Sequence, residues 1–156
     1  MKCVKMERNT DRYDYDYIAS SGEDTAILGL CLSEVKVNCL LKMIKESDIC
    51  GGSELSYIIT VEPNIYIGFT FDDLTWEQRI ILRDDPRYLF KTTKQGFIDL
   101  VQQWAKVHEK QPPGISIKEI STDLWEVKPM TEKEVVHYKA IADPVTSLLP
   151  DDVTNN

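Results

Sequence analysis

Few residues in this chain are of the kinds that do chemistry, and their spacing limits what each can do. Histidine occurs twice, as His108 and His137. Neither has a second His or a Cys three or four residues away, the helical spacing that would put two zinc ligands on one face. Both read as surface or half-buried helix positions, and no metal site is expected. Cys3, Cys31, Cys39 and Cys50 are irregularly spaced and contain no C-x-x-C pair. Cys31 and Cys39 sit in apolar stretches, where a free cysteine behaves as a small buried hydrophobe. Reduced thiols are expected rather than a disulfide framework. A Cys–His nucleophilic pair would have to meet in space, and sequence proximity singles out none.

Carboxylates are the abundant group. Paired carboxylates can divide acid and base roles when burial drives their pKa values apart. Asp72-Asp73 and Asp84-Asp85, however, precede turn or cap positions, where Asp side chains accept from backbone amides. Trp76, Arg79, Arg83 and Arg87 recur at steps of 3, 4 and 4 around that acidic turn. On a helix they give a solvated mixed-charge face. The segment Tyr13-Asp14-Tyr15-Asp16-Tyr17 alternates strictly, which in a strand puts three tyrosines on one face and two aspartates on the other. Such tyrosines serve either the domain's own core or an interface, where they bury large area at low entropy cost beside Asp groups that meet Lys or Arg. No catalytic residue and no cofactor follow from these patterns. The candidate partner-binding residues are Tyr13, Asp14, Tyr15, Asp16, Tyr17, Asp72, Asp73, Asp84 and Asp85.

The surrounding chain bounds what these residues can belong to. Its 156 residues suit one domain with a sizeable core. A net charge of −8 argues against direct nucleic-acid binding, which needs clustered Lys and Arg, and would speed encounter with a basic partner. The longest apolar run, Ala26 to Leu32, is far short of the roughly 18 residues of a membrane span. The N-terminal residues show no apolar segment of a secretory signal, so a cytoplasmic location is expected.

The elements that must position the candidates can be read from periodicity. Tyr13–Tyr17 reads as a strand. The continuous run Ala26 to Leu32 reads as a central strand covered on both faces. Ser33 is placed to cap a helix carrying Val37, Leu40, Leu41 and Ile44, which Gly51-Gly52 would end. Leu55–Val61 and Ile65–Phe71 form a hairpin about Glu62-Pro63-Asn64, with Ile65, Ile67, Phe69 and Phe71 on one face. A short helix is expected from Trp76 to Leu82.

The strongest helix runs from about Thr93 to Glu109. Thr92-x-x-Gln95 has capping-box spacing, and Phe97, Leu100, Val101, Trp104 and Val107 form an apolar stripe. Gln111-Pro112-Pro113-Gly114 stops it. A second hairpin follows, with Ile115-Ser116-Ile117 and Leu124–Val127 turning near Ser121–Asp123. The last helix, Thr131 to Ala142, has its own capping-box spacing in Thr131-x-x-Glu134. The expected fold is α+β, with a largely antiparallel sheet and helices mainly on one face. The domain would span residues 1–146, with a loosely ordered tail from Ser147 to Asn156. No G-x-G-x-x-G or regular βαβ alternation suggests a nucleotide-binding sheet.

One stretch, Tyr88 to Val127, resembles small bacterial immunity proteins that neutralise secreted toxins in the producing cell. The resemblance is carried by Lys91-Thr92-Thr93-Lys94, by Phe97, Leu100 and Trp104 on one helix, and by Pro112-Pro113 before a strand at Ile115. It implies a non-catalytic protein that binds a toxin domain, and the acidity fits a basic nuclease. The alternative is a small enzyme or small-molecule-binding domain whose site is assembled from distant residues, for which a pocket with convergent polar groups would speak.

Overall fold

A computed structural model describes residues 1–52, 54–69, 77 and 90–154. Asp72, Asp73, Asp84 and Asp85 lie outside the described residues, as do the arginine series and, apart from Glu77, the expected helix from Trp76 to Leu82.

The fold is α+β, built on two four-stranded antiparallel sheets. In the first, β2 (Asp14–Ser20), β1 (Cys3–Asn9), β7 (Gly114–Ser121) and β8 (Leu124–Met130) lie in that order. In the second, β3 (Cys50–Gly52), β4 (Ser56–Val61), β5 (Asn64–Phe69) and β6 (Phe90–Thr93) follow in chain order. Side-chain alternation decides which face is buried. Val4 and Met6 of β1, Ile115 and Ile117 of β7, and Trp125 and Val127 of β8 turn into one core with Ile58, Ile65 and Ile67 of the second sheet. Each such side chain contributes roughly 1.5–3 kcal/mol by leaving water.

Ala26 to Leu32 is not a strand. It lies within helix α1 (Glu23–Glu34), which touches β1 and β2 of one sheet and β4, β5 and β6 of the other. A helix covered on most of its circumference has no wide polar face, so its sequence shows no 3.6-residue period and a short apolar run reads equally as a buried strand. What distinguishes it lies just upstream. Glu23 and Asp24 occupy the first turn, where the dipole favours anions, and the Gly22 amide donates to Thr25 Oγ1 at 3.2 Å.

Ser33 is correspondingly inside α1 rather than capping the next helix, its hydroxyl donating back to the Gly29 carbonyl at 3.0 Å. Helix α2 (Val37–Met43) starts after Lys36, and Gly51-Gly52 belong to β3.

Helix α3 (Lys94–Glu109) buries Phe97, Leu100, Val101 and Trp104 as its stripe requires. Its cap is Thr93, whose hydroxyl accepts from the Gly96 amide at 3.1 Å. Thr92, one residue earlier, instead serves a buried network with Trp125 and Asp123. Helix α4 (Glu132–Ile141) covers the outer face of the first sheet, against β1, β2 and β7.

The Thr131–Glu134 capping box forms reciprocally, and α4 has no fully buried residue. The cap adds to what the partly buried Tyr138 and Ile141 supply by packing against Cys3, Ala19 and Leu149. Thr131→Ala is expected to lower the unfolding free energy by about 1 kcal/mol, read as a shift of the urea midpoint.

The stretch from Ser147, read as a loose tail, is tied to β2 near its start. The Ser20 amide donates to Ser147 O at 3.1 Å and the Leu149 amide to Ser20 O at 2.9 Å, with Leu149 buried against Cys3 and Ala19. A single anchoring side chain has no period to read. A short helix, α5 (Asp151–Thr154), follows. Among the described residues no helix is long and apolar enough to cross a membrane.

Candidate partner-binding groove

The Tyr-Asp segment is divided among three environments. Thr10 to Tyr13 turn the chain between β1 and β2, closed by the Asn9–Asp14 pair. Asn9 Nδ2 donates to Asp16 Oδ2 at 3.0 Å, and Arg12 pairs with the other Asp16 oxygen. Tyr13 ends the turn with φ 55°, in the left-handed region, and is 66% exposed. That backbone costs a bulky residue of order 1–3 kcal/mol, against which stands an edge-on contact of its ring with His108 at 6.4 Å.

Tyr15 is fully buried, edge-on to Trp104 at 5.8 Å and to His108 at 5.2 Å. Its hydroxyl donates to the Pro112 carbonyl at 2.6 Å. Burial pushes its pKa up to about 12, so it remains a donor throughout the neutral range. Tyr17 is half-buried with its ring laid on α1 at Gly29, where an added Cβ would stand 2.6 Å from the ring. A glycine in mid-helix is what admits it.

Asp14 and His108 are the pair that sequence did not bring together. Their side chains are each only 7% exposed, and His108 Nε2 lies 3.4 Å from Asp14 Oδ1, which also accepts from the Tyr15 amide at 2.9 Å. His108, read as a surface or half-buried residue beside the stripe, is part of it. It stands one turn beyond Trp104 and contacts that ring edge-on at 5.7 Å.

These residues floor two adjoining hollows that share Arg12, Asp14 and Lys36. One, of about 510 Å³, lies between the β1–β2 turn, the start of α2 and the end of α3, with Tyr13 and His108 in its wall. The other, of about 580 Å³, runs past Tyr17 to the end of α1 and Leu55. The second is lined by Asp14, Asp16, Glu34 and Glu54 together with Arg12 and Lys36. Exposed apolar groups stand in the walls of both, Tyr13 in the first and Leu55, 50% exposed, in the second.

No family model, curated protein or solved structure matches the chain.

The groove's chemistry must therefore be read from its own residues. Ser33 lines it, but its hydroxyl is committed to the Gly29 carbonyl. Among the described residues no three His, Cys, Asp or Glu side chains come together to hold a metal ion. Glu34, Lys36, Glu54 and Leu55 escaped the sequence reading because packing of the turn against the α1–α2 junction, rather than any local pattern, makes them neighbours.

Proposed function

We propose that this chain is a non-catalytic protein-binding module that receives a basic segment of a partner protein in the groove beside the β1–β2 turn. The observation that carries the reading is Tyr13. A bulky side chain is held exposed on a left-handed backbone, in the wall of a hollow that adjoins a second one lined by Asp14, Asp16, Glu34 and Glu54. Backbone strain of this kind clusters at binding sites, and an exposed tyrosine near carboxylates suits an Arg- or Lys-bearing partner. The resemblance of residues 88–127 to immunity proteins supports a toxin domain, a basic nuclease in particular, as that partner. Inhibition would follow from covering the partner's cationic active surface.

The test uses Tyr13→Gly and Glu54→Lys with the product of the adjacent upstream gene. Glycine takes φ 55° freely, so Tyr13→Gly is expected to hold or raise the urea midpoint while weakening binding about tenfold. Glu54→Lys should slow association and flatten the salt dependence. Wild-type affinity should fall as salt approaches about 1 M, where the screening length is about 3 Å. Failure of the two wild-type proteins to form a complex would overturn the reading.

A further inference from the structure

The other side of the first sheet gathers several lysines. Register places Lys5 of β1 beside Ser116 of β7 and Ser116 beside Lys128 of β8, with Lys118 in the next row opposite Cys3. All point away from the core, since their neighbours Val4, Met6, Ile115 and Ile117 point into it. Lys128 pairs with Glu126, the register neighbour of Lys118, at 3.4 Å.

Lys5 is the unusual member. It is only 8% exposed, yet neither it nor Lys118 makes an ion pair among the described residues. Its Nζ donates to Ser116 Oγ at 2.7 Å and sits 4.4 Å above the Tyr138 ring of α4. One hydroxyl and one ring face leave ammonium protons without an anionic acceptor. Glu134, which acts on Lys5 through space, has Oε1 occupied by the helix cap, accepting from the Thr131 amide at 3.1 Å. Buried charges are ordinarily paired, because an unpaired one is costly. Burial accordingly lowers the Lys5 pKa and raises that of the neighbouring Cys3, which stays a neutral thiol.

Lys5 opens on a cavity of about 360 Å³ under α4 and α5, whose wall includes Cys3, Lys118, His137, Tyr138 and Val153. A second hollow of about 230 Å³ on its other side includes Ser116, Lys118 and Lys128 with Glu126 and Glu134. Asp152 is the carboxylate in the larger cavity. We propose that this cavity is a binding site for a small organic anion, whose carboxylate or phosphate group pairs with Lys5 and Lys118 and whose apolar body lies against Tyr138, Cys3 and Val153. The site is distinct from the groove. Lys5 and Lys118 supply charge-assisted hydrogen bonds, and the enclosing helix reduces screening of both.

The test titrates the full chain with benzoate, phenyl phosphate and inorganic phosphate at millimolar concentration, followed by amide resonances of Ser116 and Tyr138. Saturable shifts are expected for all three, at lower concentration for the two aromatic probes. Lys5→Met, which keeps the aliphatic stem, and Lys118→Gln should each weaken binding, the former about tenfold or more through loss of a charged hydrogen bond. Tyr13→Gly should leave these shifts intact, separating this site from the groove. Absence of saturable shifts, or shifts unchanged in both lysine variants, would overturn the proposal.

Discussion

Trp104→Ala is expected to lower the unfolding free energy by about 3–5 kcal/mol, a large part of the 5–15 kcal/mol typical of a domain. Trp104 is fully buried in the middle of the α3 stripe, edge-on to both Tyr15 and His108. Alanine would remove the indole that packs on Tyr15 of β2. The surrounding rings are held from elsewhere, Tyr15 by its bond to the Pro112 carbonyl and His108 by Asp14, so they cannot collapse fully into the void. The cavity term therefore adds to the transfer term. Tyr15→Phe, which loses only one hydrogen bond, should cost about 1 kcal/mol by comparison. Urea midpoints of the two variants measure the contrast. Near-equal losses would show that Trp104 is not the centre of this packing.

The contrast also shows what sequence can and cannot convey. The α3 stripe, both hairpins and the Thr131 capping box were legible because each rests on interactions within a few residues, where period and cap chemistry are written directly. Helix α1 was misread for a physical reason, since a helix pressed between two sheets is apolar nearly all round and loses the polar face that identifies helices. The Thr92 capping box failed by one residue because two adjacent threonines offer the same chemistry, and only the demand of Trp125 Nε1 for an acceptor assigns Thr92 to the core. The candidate site was half legible. The Tyr-Asp alternation marked the right strand, but a turn residue with φ 55° and a buried Asp14–His108 pair depend on contacts 94 residues apart in sequence. Lys5 was invisible, since nothing local separates a buried lysine from a solvated one.

Gly96→Ala reverses an ordinary expectation. Glycine in a helix interior costs up to about 1 kcal/mol relative to alanine, so propensity alone predicts that the substitution stabilises α3. At this position an added Cβ would stand 2.4 Å from the Asp123 carbonyl oxygen and 2.9 Å from Thr93 Oγ1. The first is a backbone atom in the tight β7–β8 turn, and it has little freedom. Asp123 is held at φ 59°, its amide donates to Glu119 Oε2 at 3.1 Å, and its carboxylate accepts from Thr92 Oγ1 at 2.9 Å. Thr92 Oγ1 in turn accepts from the buried Trp125 Nε1 at 3.1 Å. Moving the turn away breaks this chain and leaves buried polar groups unpaired, while moving the helix away strains the Thr93 cap. Overpacking of about 1–3 kcal/mol and a cap loss of about 1 kcal/mol outweigh the propensity gain. The expected result is a clear fall in urea midpoint together with displacement of the Trp125 indole resonance. Gln102→Ala, an exposed position of the same helix, should be neutral or slightly stabilising. A stabilised Gly96→Ala would mean that the β7–β8 turn yields freely and that the Thr92 network does not hold it.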